Sequence, residues 1–406
     1  MGKMLKRKVN IAVSVITALI VIVSAVQYFI VKQRTTSNSQ ELTVFPAPGP
    51  TSFLTGEFQD KFEQALKDQF VLHDQAIAVT AAAKASLRRG VNTVQNVLSG
   101  KRSSDGLMPF GNVYRIYGTN WLTGMPYVYN AEDVKNYRKK ADEINSLVKK
   151  YPSIHFYAYY CSRAEDLNWF DSVEGIKSYS YAQLLESSLD PSIGFDRMKF
   201  RDFDEYSQLM YKTDHHWNNL GASRGYSDLL RLFSKDFPLG QARSVIYTED
   251  FGNLLWQGSR ARESAVSISP DSLDRFAVDV YQLDRHKTWF GNKEQNIGLS
   301  QAYAEGEINR ELGFDQYLNY FGFESKPIRL EYENNPNNLL IIGDSFTRAL
   351  REPLASHFGT TVYVNFRILS EVNLDEIIKN YNINAVLFMG QQDAWSGYFL
   401  HGGETK

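Results

Sequence analysis

The chain has 406 residues, of which 44 are Lys or Arg and 46 are Asp or Glu, for a net charge of −2. This balance argues against a general nucleic-acid-binding protein, which usually carries a basic face, and the 43% hydrophobic content argues against a disordered chain. The single cysteine, Cys161, excludes an internal disulfide and a four-cysteine zinc site.

The N-terminus carries the strongest asymmetry in the chain. Basic residues within positions 3–8 precede Ile11–Val31, which contains no charged residue. About 20 apolar residues are enough to cross a bilayer as a helix, so we expect residues 1–34 to form a short cytoplasmic tip and a transmembrane signal anchor. The positive-inside tendency keeps the N-terminus in the cytoplasm and places the rest of the chain outside the cell membrane. A cleaved signal peptide is the alternative.

Residues 35–52 are polar and rich in proline, which is typical of a linker. We therefore expect one extracytoplasmic domain over residues 53–406. The domain begins with helical spacing over Phe53–Leu98, which predicts a helical N-terminal element.

Strand and helix signals follow one another in the next part of the chain. Val113–Ile116 and Tyr127–Tyr129 each predict a short strand. Ala131–Lys150 has the spacing of an amphipathic helix, and Ile154–Tyr160 is an apolar and aromatic run that predicts a buried strand. A helix followed by a strand is typical of an α/β protein.

The C-terminal third repeats this pattern more clearly, whereas residues 240–331 are polar and irregular. Three apolar strands are predicted there, at Leu339–Ile342, Thr361–Val364 and Ala385–Met389. A helical pattern follows the first strand until Pro353 breaks or restarts it, and Asn373 can cap a helix after the second. The sequence thus predicts an α/β fold in which a parallel sheet with right-handed crossovers is flanked by helices.

Gly343-Asp344-Ser345 lies between the first of these strands and its helix. Ligands bind at the carboxyl ends of the strands in a parallel sheet, so the Ser345 hydroxyl would project from the edge where a substrate binds. Free backbone N–H groups at a helix start suit a developing oxyanion. The alternative is that Asp344 or Ser345 only caps the helix.

A serine nucleophile needs a base, and two of the seven histidines lie together in Asp214-His215-His216-Trp217. In an extended segment, residues two apart point to the same side, so Asp214 would orient His216 while His215 faces away. A carboxylate that orients an imidazole is half of a Ser-His-Asp triad. A structural histidine and a metal-binding Asp-x-His motif are the alternatives. No spaced histidine pair accompanies this motif, and we assign no metal.

These motifs together resemble the signature of the DHHW family, whose members are similar to SGNH-type O-acetyltransferases of the alginate-acetylation kind. The matching pieces, in order, are Tyr211-Lys212-Thr213, Asp214-His215-His216-Trp217, Leu220-Gly221-Ala222, Phe251-Gly252, Gly343-Asp344-Ser345-Phe346 and Asn365-Phe366-Arg367. The resemblance runs over residues 110–395 and implies an SGNH-hydrolase-like fold with insertions. The DHHW tetrapeptide is its most specific part.

Carried over to this sequence, the resemblance implies that Ser345 is the nucleophile, His216 the general base and Asp214 the residue that orients it. The Ser345 N–H would be one oxyanion donor. The sequence departs from the family pattern at Asn365, where an Asp is usual, and it lacks the Gly-x-Asn-Asp block. Gln391, after the last strand, is the candidate for the missing oxyanion donor. Further oxyanion or substrate contacts are expected from Gly343, Asp344, Arg367, Trp217 and Lys212.

The leading hypothesis is an extracytoplasmic serine enzyme that transfers or hydrolyses O-acetyl groups on a cell-envelope polysaccharide. It needs no cofactor, and its partners would be a cell-surface glycan and, for transfer, a membrane acyl-donor protein. The alternative is a non-catalytic glycan-binding or assembly protein on a degenerate SGNH fold, in which some of the 24 tyrosines would stack on sugars. A metal-dependent hydrolase is a third interpretation.

Overall fold

The computed structural model describes residues 57–68, 107–116, 118–167, 178–284, 286–295, 308–322, 324–332 and 335–397, with positions 52, 79, 80, 83 and 87. The predicted anchor and nearly all of the predicted linker lie outside these residues. Across the described ranges, no helix is both long and apolar enough to span a bilayer.

Strands and helices alternate along most of the described chain. The strands are β1 (Leu107–Phe110), β2 (Val113–Ile116), β3 (Leu122–Thr123), β4 (His155–Tyr160), β5 (Gly194–Arg197), β6 (Val245–Glu249), β7 (Leu255–Trp256), β8 (Asp274–Arg275), β9 (Val278–Tyr281), β10 (His286–Phe290), β11 (Lys293–Gln295), β12 (Ile328–Tyr332), β13 (Leu339–Gly343), β14 (Thr360–Asn365) and β15 (Ala385–Gly390). The α-helices are α1 (Glu57–Asp68), α2 (Ala131–Lys150), α3 (Tyr181–Ser188), α4 (Phe203–Leu209), α5 (Asn219–Phe233), α6 (Ser259–Ser264), α7 (Gln316–Phe321), α8 (Arg351–Ala355), α9 (Leu374–Asn380) and α10 (Gln392–Gly397). Short 3₁₀ helices lie at Ala164–Asp166, Pro270–Ser272, Ser345–Ala349 and Phe366–Glu371.

An eight-stranded sheet in the order β11-β10-β12-β14-β13-β15-β4-β5 forms the centre of the molecule. The five strands from β14 to β5 run parallel, and β12, β10 and β11 extend the sheet with antiparallel pairs. Parallel strands are normally covered on both faces, and every residue of β13 is buried. The structure is therefore a mixed α/β fold with a large, parallel-rich sheet.

Two apolar cores cover the two faces of this sheet. One core joins α2, α3 and α9 to one side, through Tyr137, Leu185, Ile377, Leu340 and Ile342. The other joins α5 and α8 to the opposite side, through Leu229, Phe233, Leu354, Leu339 and Ile341. The alternation along β13 follows from the two-residue period of a strand, and it gives the three-layer helix–sheet–helix arrangement.

The register of the central strands determines where the predicted site residues lie. Gly343, the last residue of β13, lies opposite Asn365 on β14 and Met389 on β15. The carboxyl ends of three parallel strands therefore meet at one edge. Ser345 and Gln391 follow two of these strands directly.

The predicted helix over Ala131–Lys150 is confirmed. The Asn130 side chain accepts hydrogen bonds from the backbone N–H groups of Glu132 and Asp133, which satisfies donors of the first turn. The predicted apolar stripe is buried, at Val134, Tyr137, Ala141, Ile144 and Leu147. The strand that follows and the three predicted C-terminal strands are also confirmed to within one residue at each end, and Asn373 caps α9.

Two expectations about secondary structure are wrong. The described residues within 240–331 are not irregular, because they supply β6 to β12, including three strands of the main sheet. The composition of the segment did not predict these strands because they are short and only partly buried. Tyr127–Tyr129 forms only an isolated bridge between Val128 and Ser178. The predicted helical pattern after Ser345 is confirmed: a 3₁₀ helix begins there and restarts as α8, with Pro353 in the first turn of α8, where proline is tolerated.

Candidate active site

Asp344 fixes the turn between β13 and Ser345. One carboxylate oxygen accepts the Phe346 N–H at 3.0 Å, and the other accepts the Gln391 N–H at 2.8 Å. Burial raises the pKa of Asp344, and the two backbone donors oppose this effect. Because Asp344 caps the turn and ties it to the end of β15, the neighbouring Ser345 hydroxyl is left for other partners.

Ser345 lies at one end of a continuous hydrogen-bonded chain. His216 Nε2 is 2.7 Å from Ser345 Oγ, and His216 Nδ1 is 2.5 Å from Asp214 Oδ1. Asp214 and His216 are buried and Ser345 is half-buried. These are the contacts of a serine, a base within reach of its proton and a carboxylate that orients the base. The structure thus brings together the three side chains that the sequence singled out.

A buried carboxylate holds the loop that carries Asp214 and His216. Asp274 on β8 accepts the Lys212 and Thr213 N–H groups, each at 2.7 Å, and also the Thr213 hydroxyl. On the other side of the loop, the Tyr211 N–H donates to the His216 carbonyl at 3.1 Å. The loop is closed by backbone bonds before Trp217 enters the core.

His215 does not face away from His216 as an extended segment predicts. The loop bends, so the two imidazole rings lie 3.9 Å apart between centroids. His215 Nδ1 is 2.6 Å from the Ser259 hydroxyl at the start of α6. Burial, and then the neighbouring His216, lower the pKa of His215 well below its usual range. A neutral His215 therefore packs against the base without competing for the proton.

The electrostatics favour an ionised Asp214. Burial opposes ionisation, but the adjacent His216 and His215 and the donated hydrogen bonds hold the pKa of Asp214 well below its usual range. One of these bonds comes from the Ser259 N–H at 2.6 Å. An ionised carboxylate on Nδ1 leaves Nε2 to accept a proton from Ser345.

Aromatic rings confine the imidazole of His216. The Tyr317 ring on α7 stacks on it at 4.0 Å and 10°, and Phe346 lies 5.0 Å away. The Tyr317 hydroxyl donates to the Ser345 carbonyl at 3.1 Å, so one side chain touches both partners. Tyr317 was missed in the sequence because it is one of 24 tyrosines and lies in the segment taken as irregular.

The two candidate N–H donors for an oxyanion differ in whether they already make a hydrogen bond. Within the described residues, the Ser345 N–H has no acceptor, which fits its expected use. The Gln391 N–H is already donated to Asp344, so it is not free for an oxyanion. The Gln391 side chain donates to Asp393 at 3.4 Å, and its amide oxygen is buried without a partner. Gln391 therefore braces the turn in this structure.

The remaining predicted site residues are placed in supporting positions. Trp217 is 1% exposed and packs edge-on against Phe346, so it holds the loop from the core side instead of lining a surface. Gly343 allows close packing, because a Cβ there would approach Thr347 Oγ1 to 2.2 Å. Lys212 is half-buried and engaged through its backbone. Arg367 is exposed on the 3₁₀ helix after β14, where Asn365 caps its N–H.

Asp214, His215 and His216 also form a cluster whose potential ligand atoms lie within 4.8 Å of one another. Both nitrogens of His216 are used in the hydrogen-bonded chain, and Nδ1 of His215 contacts Ser259. A cation at this point would have to displace those bonds. The hydrogen-bonding geometry favours a triad over a metal site.

The fold and the site geometry together define a mixed α/β protein in which Ser345, His216 and Asp214 form a hydrogen-bonded chain at the carboxyl ends of the parallel strands. No family model matches the chain, and no curated protein sequence does. Solved structures do match. A DHHW family protein from Eubacterium siraeum is 17% identical with a TM-score of 0.53, over 70% of this chain and 91% of that one.

PatB1 of Bacillus cereus is 19% identical with a TM-score of 0.53, over 73% of this chain and 100% of that one. A second PatB1 structure, with a sulfonyl adduct, is similar to the same extent (16% identity, TM-score 0.52, 68% and 96% covered). The O-acetyltransferase domain of Pseudomonas putida AlgJ matches at 10% identity and a TM-score of 0.38, over 68% of this chain and 88% of that one, which is too remote to carry an argument. At these identities the likeness shows a shared fold, and it agrees with the DHHW resemblance of the sequence.

Proposed function

We propose that this chain is a serine-dependent enzyme that moves O-acetyl groups on a cell-envelope polysaccharide, by transfer or by ester hydrolysis. The observation that carries the proposal is the hydrogen-bonded chain from Asp214 through His216 to Ser345 at the carboxyl ends of the parallel strands. Ligands bind at this edge in parallel α/β sheets. A complete triad also weighs against the alternative of a degenerate, purely glycan-binding fold.

The reaction begins with attack of Ser345 Oγ on the acetyl carbonyl while His216 Nε2 takes the hydroxyl proton. Asp214 keeps the imidazole oriented and balances the charge that forms on it. His216 then returns the proton to the leaving oxygen, which gives an acetyl-serine. A sugar hydroxyl or a water, deprotonated by His216, attacks this ester and restores Ser345.

The Ser345 N–H is the first donor for the tetrahedral oxyanion. An oxyanion donor is typically worth about 10²–10³ in kcat. A second donor must come from a group that reaches the same oxygen, and in this structure it is not the Gln391 N–H, which Asp344 holds.

The acetyl group and the glycan come from the resemblance of the sequence to SGNH-type O-acetyltransferases. A membrane acyl-donor protein is the partner that transfer requires. The basic N-terminal cluster and the apolar run after it support an anchored chain whose domain works outside the membrane.

The test uses the full-length chain purified in detergent, with a chromogenic acetyl ester as substrate. We expect Ser345→Ala and His216→Ala each to lower kcat at least about 1,000-fold. A sulfonyl fluoride, chosen because PatB1 is known with a sulfonyl adduct, should label Ser345 in the unchanged chain and neither variant. Ser227→Ala and His155→Ala, which alter an exposed serine and an exposed histidine, serve as matched controls.

Retained ester hydrolysis in both triad variants would exclude the proposed mechanism. Polysaccharide binding that survives Ser345→Ala, with no hydrolysis by the unchanged chain, would favour the glycan-binding alternative. Loss of activity on dialysis against a chelator, restored by a divalent cation, would favour a metal-dependent hydrolase.

A further inference from the structure

His215 lies inside the site, yet the proposed mechanism gives it no contact with the substrate. Its side chain is 20% exposed, against 8% for His216 and 3% for Asp214. Of these three consecutive residues, His215 is therefore the one that a ligand contacts most easily. A polar and partly exposed ring beside the proposed base is placed to bind the molecule on which the base acts.

One nitrogen of the His215 ring is held by the protein and the other is open. Nδ1 is 2.6 Å from the Ser259 hydroxyl, and the Ser259 N–H in turn donates to Asp214 at 2.6 Å. Among the described residues Nε2 has no hydrogen-bond partner, and it is not an enclosed atom. The ring is thus fixed in one orientation with its Nε2 presented to solvent.

The open nitrogen lies on the same side as the serine hydroxyl. Nδ1 of His216 is 2.5 Å from Asp214 Oδ1, and Nδ1 of His215 is 3.8 Å from the same oxygen. The two rings are inclined by 36° with their centroids 3.9 Å apart, so their other ends point in a similar direction. Because Nε2 of His216 reaches Ser345 Oγ at 2.7 Å, Nε2 of His215 lies on the Ser345 side of the pair.

The surroundings keep the His215 ring neutral. Burial and the adjacent His216 lower its pKa, and Arg163 and Arg260 act in the same direction, against the opposite effect of Asp214. A neutral imidazole nitrogen donates or accepts one hydrogen bond, depending on the tautomer. A hydroxyl group can do both, so it can pair with Nε2 in either tautomer. A neutral hydroxyl is therefore a suitable ligand for this atom.

The proposed mechanism determines which hydroxyl comes within reach. The oxygen that exchanges a proton with His216 Nε2 is the substrate oxygen that carries or receives the acetyl group. The His215 ring lies beside that of His216, at 3.9 Å between centroids. Two oxygens on adjacent carbons are close enough for each to meet one of the two imidazoles. The group that reaches His215 is thus a hydroxyl on the neighbouring carbon.

We propose that His215 is a specificity-determining residue that binds the free hydroxyl next to the acetylated oxygen of the substrate. The inference rests on the proposed function for its reaction. It applies to transfer and to hydrolysis alike, because the same substrate oxygen faces His216 in both. A site built to hydrogen-bond a hydroxyl rejects an analogue that lacks it.

The test compares acetyl esters that differ in this neighbouring hydroxyl. The full-length chain hydrolyses the cis and trans monoacetates of 1,2-cyclohexanediol and, as the analogue without the hydroxyl, cyclohexyl acetate. Each kcat/KM is divided by the rate constant for alkaline hydrolysis of the same ester, which removes differences in intrinsic reactivity. We expect one of the hydroxy esters to exceed cyclohexyl acetate by at least about tenfold.

Substitutions of His215 assign this preference to its ring nitrogen. His215→Phe keeps an aromatic ring against His216 but removes Nε2, so the corrected values for the two kinds of ester should become equal. His215→Gln retains a hydrogen-bonding side chain and should keep part of the preference. His155→Phe, which changes an exposed histidine on β4, should keep all of it.

The ratio of the two kcat/KM values distinguishes binding of the hydroxyl from support of the base. If His215 only packs against His216 or serves the oxyanion, His215→Phe lowers both values by the same factor, and the preference survives. That result would overturn the proposal. So would equal corrected values in the unchanged chain, a result that needs no variant. His215→Leu replaces His215→Phe if circular dichroism shows that the phenylalanine variant is unfolded.

Failure of the proposed function gives a different result. Hydrolysis that survives Ser345→Ala, or no hydrolysis of any of the esters by the unchanged chain, would contradict the proposed reaction itself. Hydrolysis that requires Ser345 but does not depend on the neighbouring hydroxyl would contradict only the role proposed for His215.

Discussion

At the scale of residues, the site depends on contacts between two segments that are remote in sequence. Asp214 and His216 are close enough in the chain to form their pair locally, but Ser345 joins them only through the fold. Tyr317 adds a third segment, because it stacks on the imidazole and bonds to the Ser345 carbonyl. The His216 imidazole is therefore held from several directions, which is the preorganisation that the proposed mechanism requires.

Tyr317 should matter through its ring more than through its hydroxyl. We expect Tyr317→Ala to lower kcat for ester hydrolysis about 10–100-fold, because small misplacements of a base cost this much. Tyr317→Phe keeps the stacked ring and should keep most of the activity. Tyr320→Ala, whose ring packs on Phe251 and Phe276 away from the imidazole, is the control. Equal losses in Tyr317→Ala and Tyr320→Ala would show only a general packing effect.

The acid limb of a plot of enzyme activity against pH should show a single ionisation. Asp214, whose pKa is held well below its usual range, stays ionised as the pH falls, so it should add no step of its own to the loss of activity. A plot of log kcat/KM against pH should rise with a slope of one on its acid limb. A slope of two would mean that the carboxylate titrates in the same range.

At the scale of elements, α5 holds the loop of Asp214 and His216 through Trp217. The Asn218 side chain accepts the Gly221 N–H at 3.0 Å and so caps the helix directly after the DHHW residues. The indole of Trp217 then lies over the first turns of α5, where two glycines leave space for it. The DHHW residues therefore contribute to packing as well as to the proposed catalytic site.

Gly225→Ala should test this packing. Alanine favours a helix interior over glycine by about 1 kcal/mol, yet a Cβ at Gly225 would come within 2.5 Å of the Trp217 ring. Overpacking costs about 1–3 kcal/mol, so we expect a lower free energy of unfolding and reduced activity. Ser227→Ala, exposed on the same helix, should not destabilise. A stabilised Gly225→Ala chain would contradict the role given to the indole.

At the scale of the whole molecule, a buried ionic network joins the segment before β12 to the turn that carries Ser345. Glu324 is 1% exposed and accepts hydrogen bonds from Arg348 and Arg351 at about 3 Å. The Asn365 amide also donates to it, at 3.3 Å. The network connects the antiparallel extension to the parallel part of the sheet.

Glu324→Gln should destabilise the fold by about 3 kcal/mol, because it leaves two buried arginines without their counter-charge. Glu331→Gln breaks a half-exposed pair with Arg329 and should cost less than about 1 kcal/mol. Urea unfolding of both variants measures the difference. Similar midpoints would show that the buried network adds no more than a surface pair.

The proposed anchored topology predicts in which cell fraction the protein is found. The full-length chain should remain in the membrane fraction after an alkaline wash, whereas a chain that lacks residues 1–34 should be released. The physical reason is the transfer of the apolar run into lipid. Recovery of the full-length chain in the soluble fraction would contradict an uncleaved anchor, and N-terminal sequencing would identify a cleaved signal peptide.

Several parts of this molecule were accessible from the sequence because they depend on local rules. The cap and apolar stripe of α2, the fully buried strands β13 and β15 and the turn at Asp344 each leave a pattern within a few residues. The DHHW motif and the Gly-Asp-Ser turn likewise named the three residues that meet at the site. Periodicity, capping and turn chemistry depend on residues that are close in sequence, so they can be recognised in a single sequence.

Other features were decided only by the tertiary structure. A short, half-buried strand such as β10 is stabilised by its pairing with the neighbouring strand β12. Its own residues do not predict it. The bend that turns His215 toward His216 and the stacking of Tyr317 both depend on segments far away in the chain. Residue types and local spacing therefore indicated the proposed chemistry, while long-range packing decided which side chains surround the serine.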